Sequence, residues 1–319
     1  MKKSELLKLW ETAASMTPQQ DYRVVRFDQH CKPEVFVAIG PDDCRCLILR
    51  SPSSPLRPIE KEKLHLKFDG SIPGVVLKLA DDDYRDLFND LVVSLYGAIK
   101  SIREGEGEQE ALLRQFRKWV ALFEAEYSSS LDEQRVIGLI GELHVLKRLI
   151  NSSTDSELNG ILSSWRGPYD ETQDFVLEDM HLEVKTVTAR GTSVTINSLT
   201  QLKEEHGKGL ELLVNTVSAD CDNGVCLSGI FQDVFDQSVQ RGGDSAILFE
   251  AIAQKGLSSR NITDYDHWKY RFHTEKAYDV LSSGFPKLTG SNISPAITRA
   301  SYTLSLAGIE PFLLREVDL

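Results

Sequence analysis

Between residues 22 and 50, apolar and polar side chains alternate in "YRVVRF", "VFVAIG" and "CRCLILR". A period of two predicts half-buried strands. Gly40-Pro41-Asp42-Asp43, before the third of them, predicts a turn. "LHLKF" and "VVLKLA" continue the pattern, separated by Gly70 and by Pro73-Gly74. "SPSSPLRP" (51–58) has the Ser and Pro content of a loop. Ahead of these strands, "MKKSELLKLWETAASM" gathers Leu6, Leu7, Leu9 and Trp10 near one helical stripe, which predicts an amphipathic helix.

From residue 81 the period lengthens. "DDDYRDLFNDLVVSLYGAIKSI" places Leu87, Leu91, Val92, Leu95 and Ile99 at helical spacing, with acids at the end where the helix dipole favours them. "EGEGE" (104–108) interrupts, and "QEALLRQFRKWVALFEAEY" predicts a second helix. Residues 131–150, "LDEQRVIGLIGELHVLKRLI", predict a third, with Asp132 as N-cap and Asn151 at its end. The polar stretch "NSSTDSELNG" follows. Two strand-like runs, 174–178 and 181–188, flank a turn near Glu178-Asp179. "SVTIN" is a strand or turn leading to a short helix around "SLTQLKEEHG". "LELLVNTVSA" is a strand, "LSGIFQDVFDQSVQ" a helix, and Asp244 caps a further helix that ends at Gly256. "HWKYRFH" alternates as a strand, and "TRASYTLSL" is the last clear one. This order predicts a mixed α+β (α/β) chain. The expected organisation is a β-rich domain at 1–80, connecting helices at 81–130, and an α/β domain at 131–319.

The 319 residues are 41% hydrophobic and 26% charged, an ordinary globular balance. No apolar run approaches the ~18 residues of a membrane span. With no secretory pattern at the start, a cytoplasmic location without a membrane partner is expected. The odd count of five cysteines argues for free thiols. Cys44-x-Cys46 and Cys221-x4-Cys226 are poorly spaced for zinc. The net charge of −12 repels nucleic acid in bulk, so a nucleic-acid partner requires a local basic surface or metal ions at the site. There is no phosphate-cradling glycine loop, which argues against ATP-driven chemistry.

The chemistry concentrates in "DFVLEDMHLEVKT" (174–186). On a strand Glu183 and Lys185 share one face, and Leu182 and Val184 take the other. Antiparallel pairing across the turn near 179 would bring Asp174 to the Glu183–Lys185 end. Two carboxylates and a backbone carbonyl form a hard oxygen site that suits Mg²⁺. Such a metal acidifies a bound water and stabilises charge on a phosphate, and an adjacent lysine orients or deprotonates that water. An isolated Glu-x-Lys carries little weight, because most such pairs decorate a solvated strand face. The same holds for Trp268, Tyr270 and Phe272 beside Arg260, Lys269 and Arg271: a strand's core face is favoured over a nucleic-acid stacking surface.

The order "GLIGELHVL", "TQDF", "LEVK" resembles the PD-(D/E)XK nuclease superfamily. The resemblance implies a restriction-endonuclease-like core, with a central mixed sheet flanked by helices. It implies that Asp174 and Glu183 hold the metal with the carbonyl of Val184, that Lys185 assists the water, and that Glu142 reaches the metal's water shell. Gln201 in "SLTQL" is a weaker candidate for a polar residue facing the site. More narrowly, "GxxGE…WxGP…DF…ExK…QL", with the late "GFPKL" and "ISPAITRASYTLSL", resembles a bacterial group of PD-(D/E)XK proteins associated with restriction–modification gene clusters. This sequence has Gln173 where the family carries Pro, and Pro168-Tyr169-Asp170 lies upstream. Asp170 is therefore an alternative acid, with Asp174 favoured because it opens the apolar run. Glu142 is equally readable as a surface residue. The implied function is a Mg-dependent (Mn possible) DNA endonuclease of a restriction–modification or phage-defence system. It implies DNA as partner, and by analogy a homodimer and restriction–modification partner proteins. The alternatives are a catalytically inactive DNA- or protein-binding subunit on the same fold, and an RNA or repair nuclease.

Overall fold

Helix α1 (Lys3–Ser15) leads into six strands: β1 (Arg23–Arg26), β2 (Glu34–Ile39), β3 (Arg45–Arg50), β4 (Ile59–Glu60), β5 (Leu64–Asp69) and β6 (Gly74–Leu79). They form one antiparallel sheet in the order β1-β2-β3-β6-β5-β4. The computed structural model describes residues 2–18, 21–50, 57–103, 107–125 and 130–319. Most of the "SPSSPLRP" loop (51–56) and the centre of the "EGEGE" break (104–106) lie outside the described residues. Helix α2 (Arg85–Ile99) is buried along nearly its whole length, and α3 (Glu108–Glu124) buries the stripe through Leu112, Phe116, Trp119 and Phe123. Residues 1–127, 235–253 and 258–260 make up the first of two compact units.

The second unit comprises residues 128–234, 254–257 and 261–319. Along this part of the chain run α4 (Glu133–Ser152), α5 (Leu158–Ser164), β7 (Phe175–Val176), β8 (Met180–Thr188), β9 (Ser193–Ile196), β10 (Gly209–Ala219), α6 (Leu227–Gln240), α7 (Ala246–Ala253), β11 (Tyr270–Asp279), β12 (Tyr302–Ser305), α8 (Leu306–Ile309) and β13 (Leu313–Asp318). Helix α6 starts in the second unit and ends in the first, to which α7 belongs. Asp132 caps α4, its side chain accepting the Arg135 N–H at 2.9 Å.

Five strands form a mixed sheet in the order β13-β11-β10-β8-β7. β8 and β10 run parallel and the other pairs antiparallel. On one face, Leu210, Leu212 and Val214 of β10 pack with Val194, Ile196, Leu304 and Ile309 from the β9–β12 pair and α8. Register puts Glu183 beside Leu212 and Lys185 beside Val214, so both charged residues belong to this face. Thr186 and Asn215 lie on the opposite face, under Gly141 of α4. The chain is a mixed α+β protein with a central mixed sheet.

Some local expectations fail. The segment 198–206 forms turns, not a helix. The buried Gln173 amide donates to the carbonyls of Thr200, Gln201 and Lys203 at 3.1, 3.4 and 3.4 Å, taking acceptors that a helix would use internally. Helix α7 stops at Ala253, short of Gly256. "TRASYTLSL" is not the last strand: β13 follows and pairs with β11. The short α5 lies in a stretch whose sequence has no clear period.

Candidate functional site

β7 is only two residues long, so the sheet edge is open at Asp174, just before it. Phe175 pairs with Leu182 and Val176 with His181, and this register sets Asp174 opposite Glu183. Asp174 Oδ2 accepts the Val184 N–H at 2.8 Å. A strand residue directs its N–H and C=O to the same edge, so the Val184 carbonyl faces this opening too. The preceding Trp165-Arg166-Gly167-Pro168 segment folds against it. Trp165 bridges to Phe175, and the N–H groups of Arg166 and Gly167 donate to the Asp174 carbonyl at 2.7 and 3.1 Å. The Trp165 indole N–H donates to Glu142 Oε2 at 2.8 Å.

Two glycines allow these parts to close up. A Cβ on Gly167 would overlap Glu142 Oε2 and lie 2.9 Å from Asp174 Oδ1. The two acids therefore meet across a residue that must lack a side chain. A Cβ on Gly141 would overlap Thr186 Oγ1. Its absence lets α4 sit close on β8 and carries the next residue, Glu142, to the site.

Glu183 is fully buried, which a carboxylate on a solvated strand face would not be. The Lys185 ammonium lies 2.7 Å from its Oε1. Otherwise neither Glu183 oxygen has a hydrogen-bond partner among the described residues. Burial, then the charges of Asp174 and Glu142, hold the Glu183 carboxyl well above the usual range, against the pull of Lys185. Burial and Asp174 push Glu142 up to about 8, against the Trp165 N–H, Lys255 and Lys185. Burial also raises Asp174, opposed by Lys185, the Val184 N–H and Lys255. For Lys185, burial disfavours the ammonium, but the facing Glu183, Asp174 and Glu142 outweigh it and raise the pKa. Glu142 and Asp174 thus feel both Lys185 and Lys255, and Glu183 is held by Lys185.

This donor set fits a hard divalent cation. Among the described residues the oxygens of Glu183 have no donor but Lys185, and the repulsion between acids is what a bound cation relieves. Among the described residues no three His, Cys, Asp or Glu side chains stand grouped as a ready cage. An ion here would rest on Asp174 and Glu183, the Val184 carbonyl and water. All five cysteines are free thiols.

Glu142 and Asp174, but not the fully buried Glu183, line a polar cleft of about 1030 Å³, whose cations are Arg135, Lys185 and Lys255. Gln201 lines the cleft from a turn, its Oε1 accepting the Asn197 N–H at 2.7 Å. Asp170 does not take the strand position. It sits in left-handed backbone (φ 56°) after the Gly167–Tyr169 turn, exposed and ion-paired with Lys255. Trp165 and Lys255 were not assigned roles from the sequence. The Trp stood out beside Arg-Gly-Pro, but nothing around Lys255 marks it.

A mixed sheet with Asp at the mouth of one strand, Glu-x-Lys on the next and a Glu from the helix packed behind defines a PD-(D/E)XK nuclease-like protein. The family model described as "Putative PD-(D/E)XK family member, (DUF4420)" matches residues 6–307, and the chain belongs to that family. No curated protein and no solved structure matches it. Among the described residues no helix is long and apolar enough to cross a membrane.

Proposed function

We propose that this protein is a divalent-metal-dependent endonuclease that hydrolyses phosphodiester bonds of DNA. Its proposed setting is a restriction–modification or phage-defence system in the cytoplasm, with Mg²⁺ as metal and Mn²⁺ as substitute. The observation that carries the reading is the buried Glu183–Lys185 pair beside Asp174, where Glu183 has no donor but Lys185 among the described residues, while Asp174 and Lys185 line a polar cleft.

Asp174, Glu183 and the Val184 carbonyl hold the metal. When bound, it supplies an acidified water and stabilises charge on the phosphate. Lys185, anchored on Glu183, presents its ammonium to the phosphate oxygens as negative charge develops. Trp165 holds Glu142 Oε2 and leaves Oε1 to accept a hydrogen bond from water. Glu183 is fully buried and Glu142 and Asp174 half-buried, which limits screening of the metal's charge by bulk water. Cleft cations and the metal offset the net charge of −12 where the substrate lies.

The test is cleavage of plasmid, linear and base-modified DNA, with RNA in parallel, by purified protein in Mg²⁺ or Mn²⁺. The wild type cuts DNA and Lys185→Ala does not. Identical behaviour of the two proteins on every substrate refutes the reading. The strong acidic balance favours one alternative, a non-catalytic subunit on the same fold, which would bind DNA or a protein partner without metal-dependent cleavage.

A further inference from the structure

Lys255 reaches the cleft from the segment that follows α7, about 70 residues after the Glu-x-Lys strand. No motif marks it. It lines the same cleft as Glu142, Asp174 and Lys185, and its charge favours the ionised forms of Glu142 and Asp174 as that of Lys185 does. The two lysines differ in how they are held. Lys185 is paired with a carboxylate that is wholly buried. Lys255 is paired with Asp170, whose side chain is 87% exposed. An ion pair with so exposed a partner is weak and readily exchanged. Asp170 is placed by its backbone, since its N–H donates to the Gly167 carbonyl at 3.2 Å and it ends the turn in a left-handed conformation that Asp tolerates.

We infer that Lys255 forms a phosphate subsite beside the acid cluster, taking a backbone phosphate of the nucleic acid next to the one cleaved, and that Asp170 occupies this lysine until the phosphate arrives. The inference rests on the nuclease reading and extends it. Binding exchanges one anion for another on Lys255, so the ammonium is never left uncompensated near the acids. Asp170 also contributes a negative charge to the cleft wall, which disfavours anions that cannot displace it. The Gly167 turn therefore has two functions. Its start admits Glu142 and Asp174 side by side, and its end supplies the counter-ion of Lys255.

The experiment measures binding of a fluorescent DNA duplex, and of its single-stranded DNA and RNA forms, with Ca²⁺ replacing Mg²⁺ to hold the substrate uncut. Wild type, Lys255→Gln, Lys255→Arg and Asp170→Asn are compared across a salt series, each checked for native circular dichroism. Losing one phosphate contact lowers the slope of log affinity against log salt by about 0.9, so the wild type's advantage over Lys255→Gln shrinks about three- to four-fold for each four-fold rise in salt. Lys255→Arg keeps the wild-type slope, and Asp170→Asn binds more tightly than wild type. Asp170→Asn changes an exposed side chain and reads the subsite with opposite sign, even if Lys255→Gln folds poorly. Wild-type affinity and slope in both Lys255→Gln and Asp170→Asn overturn the subsite and leave the nuclease reading standing. A wild type that binds no nucleic acid overturns both.

Discussion

Gly141→Ala tests how α4 delivers Glu142 to the sheet. In a helix interior Ala is favoured over Gly by about 1 kcal/mol. At this position the added Cβ would overlap Thr186 Oγ1, with Thr186 Cβ at 3.1 Å and Asn215 Nδ2 at 3.4 Å. Overpacking of this kind costs about 1–3 kcal/mol. The expected net result is a loss of about 1 kcal/mol or more, with α4 pushed off β8. Thr186→Ala removes the overlapping atom, and at little cost, because Thr186 Oγ1 has no hydrogen-bond partner among the described residues. In that background the closest remaining contacts ask neighbours to give by only a few tenths of an ångström. Gly141→Ala should then be neutral or stabilising by up to about 1 kcal/mol. The readout is a double-mutant cycle of urea midpoints and slopes for the four proteins, with a coupling of about 1–3 kcal/mol and a change of sign. Because the chain has two compact units, circular dichroism and tryptophan fluorescence should both be followed and their transitions compared. Metal-dependent cleavage should fall in Gly141→Ala and return in the double variant, since Glu142 moves with α4. If Gly141→Ala destabilises equally with Thr or Ala at 186, close packing of α4 on β8 is not what this glycine provides.

Two further outcomes follow from buried titratable groups. His144 stacks on Phe272 with ring centroids 4.1 Å apart, and burial, with Arg148 and Lys147 adding, lowers its pKa to about 4. Between pH 6.5 and 4 the unfolded chain takes up a proton that the folded one refuses, so this residue removes up to about 3 kcal/mol of stability as pH falls through that window and nothing more below it. The acid cluster, with raised values, contributes the opposite slope, so the measurement is the difference between wild type and His144→Phe. The variant's urea midpoint should fall less on acidification, and parallel curves refute the assignment. Glu183→Gln leaves two carboxylates facing two ammonium groups, so its thermal midpoint should rise while metal-dependent cleavage disappears. A large drop in the midpoint would show that the Lys185 pair outweighs the repulsion.

Local pattern carried β1, β2, β3, β5 and β6 but not the two-residue β4, the helices around 85–99, 108–124 and 133–152, and the face shared by Glu183 and Lys185. Each depends on neighbours within a few positions, where period and capping chemistry act. The helix expected at 198–206 failed for a distant reason, since Gln173 takes its carbonyls. β13 was missed because an exposed edge strand of six residues has little alternation to display.

The sequence alone determined which residues share a strand face, and it made a hairpin of Asp174 and Glu183 legible, because side-chain direction follows from strand period and turn position. Packing alone set three further features: among the described residues Glu183 is buried with no hydrogen-bond donor but Lys185, Trp165 holds Glu142, and Asp170 pairs with Lys255. Burial and charge partners depend on which distant segments fill the space around a side chain. That is set by packing across the whole unit, and no local period encodes it.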